Sequence, residues 1–443
     1  MSSLDRSGGE WLRSTTELIA AERLLVRRRA GSSHDGCVRH DLVALTTCPT
    51  YLEWLMPLLE VAIGDYETSA DLRQVPSAGA LYPYMLEIQP ASTAGRKIIY
   101  DVRRGGFASE RVPPNHLDVD SDWTAVLIHV VPTPCTTLMR YGPRGARYVL
   151  VDCGAAIANM VWHATRLGYH LEIINGSRAA NCPDKHAVGE SAIQALLVGK
   201  SKPNASEGSR REGDPSRKVD SSIPVTPATG SSIIHHNEYC ALVRHRLKTA
   251  LSRRYISADL ARCLTLDPPP VQLNRLRRSA SGFLRNPFSD ETRASLLEKC
   301  RTAVDNITDV CNINIRVRAY RRDENSQGEW YTYDGSEVDV RLTADSISEL
   351  FYGQRFVDDG CVVLVYGYLP FVKDICEYYA SAFLVGSLVQ RMYLWAAFYG
   401  AATSAVGAMD DQRLASSDGF TPIIAQVFGM PAPSSMKPDA ANA

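Results

Sequence analysis

Neither sign of charge dominates this chain. Its 443 residues carry 48 Lys and Arg against 49 Asp and Glu, a formal net charge of −1. That balance argues against a dedicated nucleic-acid or membrane-surface binder. The eleven cysteines include no C-x-x-C pair and no Cys/His cluster at zinc spacing, so neither a metal site nor a disulfide framework is expected. Reduced thiols point to a cytoplasmic protein. The opening MSSLDRSGGE lacks the apolar segment of a secretory signal. The longest apolar stretch, residues 378–407, has Gln390 and Arg391 at its middle and reads as a buried helix rather than a membrane span. No G-x-G-x-x-G follows a strand to hold a nicotinamide cofactor separately.

What is present fits a soluble globular protein, with 45% hydrophobic and 22% charged residues. The length predicts about two domains. A stretch rich in Pro, Gly, Ser and charge, without apolar period, marks residues 204–232 as a linker between domains 1–203 and 233–443. The two parts share a pattern. GAAIANMVWHATRLG runs from Gly154 to Gly168 with Ile157, Met160, Val161, Ala164 and Leu167 on one helical face. GSLVQRMYLWAAFYG runs from Gly386 to Gly400 with Val389, Met392, Tyr393, Ala396 and Tyr399 at the same spacing. Both glycine pairs are offset by 232 residues (386 − 154 and 400 − 168). Each helix follows a β-rich run, TAVLIHVV or CVVLVYGYL, and each half ends in a short apolar run closed by Gly199 or Gly429. The expectation is a tandem duplication of α+β domains whose long helices pack together, although any two α/β units could share a strand–helix–strand order.

The most informative stretch is RQVPSAGALYPYMLEIQP, residues 73–90. Ala78, Gly79 and Ala80 leave a backbone open to close approach, Pro76 fixes the start of the turn, and Ser77 offers a hydroxyl. Residues 85–89 alternate as a strand leaving the turn. P-S-A-G-A-L-Y-P, Pro76 to Pro83, resembles the flavin-contacting motif of the SagB-type branch of the nitroreductase family, which includes azoline oxidases of modified peptides. The resemblance implies FMN, with a mainly antiparallel sheet surrounded by helices in each domain. An ordinary Pro-Gly turn before a strand is the structural alternative.

Two second-half segments extend the resemblance. LRRSASGF is similar to the opening of nitroreductase domains, where Arg277, Arg278 and Ser279 would grip the FMN phosphate through charge-assisted contacts. YGAATSAVGAMDDQ, residues 399–412, places Ala405, Val406, Gly407 and Ala408 where the family has a small-residue loop along the flavin. Each half lacks what the other has. Family dimers build each FMN site from both subunits, so the fusion implies an internal pseudo-dimer with one complete site and one degenerate site; further homo-oligomerisation stays open.

RYGPRGARYVLVDCG, residues 140–154, also resembles this branch, but Arg140-Tyr141 stands where azoline oxidases carry a Lys-Tyr pair. Arginine is a poor base because its pKa stays above ~12. Tyr141 remains a candidate acid or base, with Arg140 holding a carboxylate or lowering the tyrosine's pKa. His163 reads as an interface histidine, and His235-His236 has no third ligand nearby. The leading reading is an FMN-dependent dehydrogenase or oxidase acting on a small heterocycle or peptide-derived intermediate, with NAD(P)H or O2 as electron partner. An NAD(P)H-dependent nitro- or quinone reductase is the second reading. A catalytically degenerate scaffold or flavin-storage protein is the third.

Overall fold

A computed structural model describes residues 42–44, 48–66, 69–91, 98–102, 105–110, 124–174, 194–199, 263–264, 266–277, 279–284, 289–322, 328–332, 347–368, 375–415 and 419–433. The expected linker, Arg278 and His235-His236 lie outside them. In the first half, β1 (Leu42–Ala44) precedes α1 (Met56–Ile63) and a short hairpin, β2 (Asp65–Tyr66) and β3 (Ser69–Arg73). Four strands follow: β4 (Tyr84–Pro90), β5 (Ile98–Asp101), β6 (Gly106–Glu110) and β7 (Ala125–Pro132). Then come α2 (Cys135–Tyr141), α3 (Gly145–Arg166), β8 (His170–Ile174) and β9 (Gln194–Gly199). The second half contains α4 (Asp290–Cys311), β10 (Ile315–Arg322), β11 (Gly328–Thr332) and β12 (Cys361–Tyr368). It continues with α5 (Ile375–Phe398), β13 (Ala402–Val406), α6 (Asp411–Leu414) and β14 (Phe420–Gly429).

The architecture is α+β, as the sequence implies. Two antiparallel sheets have the orders β1-β6-β5-β4-β7-β9-β8 and β11-β10-β12-β14-β13. The run β5-β4-β7-β9-β8 and the whole second sheet follow one plan, with a long helix inserted between the third and fourth strands in chain order. Strands 125–132 and 361–368 coincide with the two β-rich runs, and both are buried on both faces at nearly every described side chain.

The long helices begin earlier than the apolar period suggests. α3 starts at Gly145 and α5 at Ile375, so Gly154 and Gly386 lie inside helices rather than at their starts. The reason is packing: a side chain at either position would enter the backbone of the opposite helix. At the other end the bracketing is right, because Gly168 (φ 74) and Gly400 (φ 69) adopt the left-handed conformation that stops a helix. The apolar stretch 378–407 therefore divides into all but the first turn of α5 and strand β13. α3 packs along α5, α1 along α3 and α4 along α5. A single buried cluster contains Leu150, Ile157 and Val161 together with Val385, Leu388 and Met392, so the core runs across the seam between the halves.

Several polar groups at that seam are paired across it. Gln390 Nε2 donates to Asn159 Oδ1 and Asn274 Oδ1, both at 3.0 Å. Asn159 Nδ2 donates to Ala62 O at 2.6 Å. Arg391, only 3% exposed, donates to the carbonyls of Cys263, Leu264, Leu266 and Asp267 and stacks 5.1 Å from the Trp162 ring. Among the described residues no helix is long and apolar enough to cross a membrane.

Candidate functional site

The P-S-A-G turn lies between the β2–β3 hairpin and β4. Ser77 is extended (φ −147, ψ 143), whereas Gly79 is left-handed (φ 63, ψ 23) and exposed. A Cβ at 79 would stand 2.5 Å from the Tyr141 hydroxyl and 3.0 Å from Arg140 Nη1. The turn and the Arg140-Tyr141 pair at the end of α2 are thus in contact. A residue that the sequence reading passed over fastens the turn from below. Asp152, buried in α3, accepts a hydrogen bond from Ser77 Oγ at 2.6 Å and one from Ala78 N at 3.3 Å, both on Oδ2. Ser77 Oγ in turn accepts from Tyr82 N at 2.8 Å. Burial pushes the Asp152 carboxyl up to about 7, against the lowering effect of those two hydrogen bonds.

On the other side of the seam, Arg277 leaves a 3-10 turn (Val271–Leu276) in extended conformation and is buried. Its Nε donates to Gln74 O at 3.2 Å, and its guanidinium lies 5.0 Å from the centre of the Tyr393 ring. Ser279 is exposed, forms a parallel bridge with Thr403 and shares a 2.9 Å hydrogen bond with Tyr393 Oη. The same tyrosine oxygen accepts from Ala405 N at 3.0 Å. Tyr393, on the inner face of α5, therefore ties the Arg277–Ser279 segment to β13.

The expected small-residue loop is half strand: residues 402–406 form β13, and only Gly407 onward is loop. Gly407 has a protein reason to be glycine. A Cβ there would lie 2.5 Å from Cζ and 2.7 Å from the hydroxyl of Tyr148, inside contact distance. Arg147, beside it and buried, donates from Nη2 to Gly407 O at 2.8 Å and from Nη1 to Pro422 O at 3.1 Å. It also pairs with Asp411 at 3.0 Å. The Tyr148 ring meets the Tyr141 ring edge-on, with centroids 5.1 Å apart.

These contacts close a circuit. They run from Gly79 to Tyr141, Tyr148 and Gly407, along β13 to Ala405, through Tyr393 to Ser279 and Arg277, and by Gln74 back to Ser77. The path crosses from one half to the other at Tyr148–Gly407 and again at Arg277–Gln74. Gly79, Arg140 and Ser279 on it or beside it are exposed, and Ser77, Ala78, Tyr141, Ala405, Gly407 and Ala408 are half-buried. Asp152, Arg147 and Arg277 lie buried beneath that rim. Val406, which points away from it, is buried in a second cluster with Phe351, Met409 and Val427.

A solved structure of the same shape is a presumed nitroreductase from Anabaena variabilis, which matches with a TM-score of 0.55 over 90% of this chain and 93% of that one, at 15% identity. The chain has a nitroreductase fold. Shorter matches, at TM-scores of 0.27 and 0.26, are a presumed NAD(P)H:FMN oxidoreductase from Staphylococcus epidermidis and the E. coli microcin synthetase McbBCD complex. The first covers 38% of this chain and 89% of its own at 14% identity, the second 39% and 72% at 17%. No protein-family model matches the chain, and no curated protein does.

Within the nitroreductase fold, His163 lies at the seam where its sequence placed it, with its Nδ1 buried and without a hydrogen-bond partner among the described residues. It is buried on α3, its Nε2 lies 3.4 Å from Asn274 Nδ2, and burial together with Arg166 lowers its pKa to about 4, leaving it neutral. Asp152, Arg147, Tyr148, Gln74 and Tyr393 are the residues of the candidate site that sequence reasoning missed. Only Asp152 left a signal, as the single acid in the apolar run VLVDCGAAIA.

Proposed function

We propose that the chain is an FMN-dependent oxidoreductase with one flavin site at the seam between its two halves, descended from a tandem duplication. The observation that carries this reading is the closed circuit of contacts, which unites the P-S-A-G turn, the Arg277–Ser279 segment and the 405–408 stretch. The residues suit the group. A flat ring needs backbone that no side chain shields; Gly79 is exposed, and Ala78, Ala405, Gly407 and Ala408 are small and half-buried rather than sealed. A phosphate needs cationic and hydroxyl donors, and Arg277 and Ser279 stand together, with Arg278 next to them in sequence. Ser77 takes a different part from the one its motif suggests: its hydroxyl is engaged by Asp152 and Tyr82, so it supports the ring-facing backbone.

When bound, FMN supplies two-electron hydride exchange with a substrate. The chain's own groups do the rest. Tyr141, whose hydroxyl lies against Gly79, holds or removes a proton on the substrate. Arg140, exposed beside it, offers its guanidinium to orient an anionic or polar substrate. That pairing departs from Lys-Tyr and weighs against azoline oxidation itself; a heterocycle or peptide-derived intermediate in a biosynthetic route remains the substrate class.

Among the described residues, the pseudo-symmetric second site has no counterpart of the P-S-A-G turn or of the small-residue strand. Residues 64–83, between α1 and β4, make room for a hairpin and the P-S-A-G turn, whereas α4 runs into β10 across residues 312–314 alone. On the 232-residue offset, β13 (ATSAV) is matched by β8 (HLEII), whose larger side chains replace the small ones. The test is the flavin released from purified full-length protein, quantified by absorbance against protein concentration. One FMN per chain is expected. Two per chain would overturn the single-site reading, and a colourless protein that takes up no added FMN would overturn the enzyme reading in favour of a scaffold. Rapid reduction of the bound flavin by NAD(P)H would select the nitro- or quinone-reductase alternative.

A further inference from the structure

We propose that Asp152 is the positioning residue of this site, holding residues 77–79 in their ring-facing shape by acting as an anionic acceptor from the helix beneath. Its purpose rests on the FMN reading above; its action rests on the hydrogen bonds alone. A carboxylate buried among apolar neighbours is costly unless its lone pairs are used. Here one oxygen takes both the Ser77 hydroxyl and the Ala78 amide, and the Ser77 oxygen passes the constraint on to the Tyr82 amide. The relay thus grips both sides of Gly79, whose φ of 63, like the φ of 44 at Tyr82, lies in the left-handed region. Without the acceptor, a hydroxyl and an amide lose their partner and the turn loses its lower anchor.

The second half supplies an internal comparison. Asp152 lies two residues before Gly154, and the residue two before Gly386 is Leu384, buried and apolar. That half joins α4 to β10 through residues 312–314 alone, with no counterpart of the P-S-A-G turn for an acid to hold. The acid therefore goes with the turn rather than with the helix crossing.

The groups around Asp152 are few. From the turn come the Ser77 hydroxyl and the Ala78 amide, with Arg140 and Tyr141 of α2 on the turn's far side. On its own helix the neighbouring Cys153 thiol is held well above its ordinary range, mainly by burial and then by Asp152. The stretch of α5 at the crossing, residues 382–389, contains no ionisable side chain. With the carboxyl titrating at about 7, the anion dominates at pH 8 and the protonated, weaker acceptor at pH 6.

The experiment uses the full chain freed of flavin, with FMN affinity read from quenching of flavin fluorescence and the turn read by hydrogen–deuterium exchange of residues 74–84. Both are measured at pH 6 and pH 8 for the parent, Asp152→Asn and Ser77→Ala. The parent should bind FMN more tightly at pH 8, and Asp152→Asn should bind about tenfold more weakly there, as expected for the loss of one charge-assisted hydrogen bond. Asp152→Asn should also remove the pH dependence of exchange at the turn while unfolding no earlier than the parent at pH 8. Parent-like affinity and parent-like exchange in Asp152→Asn would overturn the proposal. If that variant fails to fold, Ser77→Ala decides, because it cuts the relay outside the core: unchanged protection of the Tyr82 amide would equally overturn it. Exchange that responds as expected in a protein that binds no FMN would leave the positioning role standing and remove the flavin reading instead.

Discussion

Gly154 and Gly386 meet backbone to backbone where the two long helices cross: a Cβ on Gly154 would lie 3.4 Å from Gly386 Cα and 2.8 Å from the Phe383 carbonyl carbon. A Cβ on Gly386 would lie 2.9 Å from the Val151 carbonyl carbon and 2.8 Å from Ala155 N. The contacts are reciprocal, because the shift from 154 to 386 and that from 151 to 383 are both 232 residues. The two glycine contacts therefore mirror one another across the helix crossing.

Gly386→Ala should accordingly destabilise the chain, although alanine favours a helix over glycine by about 1 kcal/mol. The new methyl meets backbone, which cannot swing aside as a side chain can, and overpacking of this kind costs about 1–3 kcal/mol or more. A net loss of about 2 kcal/mol in urea denaturation is expected. Adding Gly154→Ala should cost less than its effect alone, since the helices will already have been pushed apart. Strict additivity would show that the two glycines do not share one contact.

The 232-residue offset was legible because it sits in local pattern: a 3.6-residue apolar period, a left-handed glycine at each helix end, and a β-rich run before each helix. The helix starts were not. α3 begins at Gly145, directly after the Gly142 turn (φ 60) that ends α2, and Gly145 is glycine because a Cβ there would meet Thr137 O of α2 at 2.8 Å. The site was half legible for the same reason. Pro76 to Gly79 and Arg277 to Ser279 show themselves in consecutive residues, whereas Gln74, Arg147 and Tyr393 act through partners more than a hundred residues away, and no local pattern encodes those pairings.

Gly407 offers a direct test of what its missing side chain is for. If the space belongs to Tyr148, then Gly407→Ala should disturb the tyrosine, lower stability by about 1–3 kcal/mol and recover most of that loss when combined with Tyr148→Leu. Thermal melts of the two single variants and the double variant give the coupling. No recovery in the double variant would assign the glycine to a ligand instead.

Arg391 should prove a structural keystone of the segment that leads into the second half. Its guanidinium serves four carbonyls between Cys263 and Asp267, and Trp162 Nε1 donates to one of them, Leu264 O, at 2.6 Å. Arg391→Met keeps most of the apolar stem but strands those acceptors, so a loss of about 2–4 kcal/mol is expected from denaturant unfolding. Arg391→Lys should recover little of it, because one ammonium cannot match the planar fork. Parent-like stability in Arg391→Met would mean that the segment is held by other contacts.

The pH dependence of stability should be shallow between about 4 and 6.5, through opposition of two buried groups rather than their absence. His163 has a folded pKa of about 4, below its ordinary 6.5, so the unfolded chain binds the extra proton in this window. Its contribution is full above pH 6.5 and is lost as the pH falls toward 4. Asp152 runs the other way. Its folded pKa is about 7 against an ordinary 3.8, so the folded chain binds the extra proton and stability declines as the pH rises from 3.8 to 7. The two opposite slopes nearly cancel where they overlap. Asp152→Asn should expose the histidine slope, giving a protein that loses stability steeply on acidification from pH 6.5. His163→Gln should expose the opposite slope, with stability highest near pH 4 and falling toward 7. Urea midpoints measured across this range for the parent and both variants would check the pair. Parallel profiles in all three would show that neither group changes its proton affinity on folding.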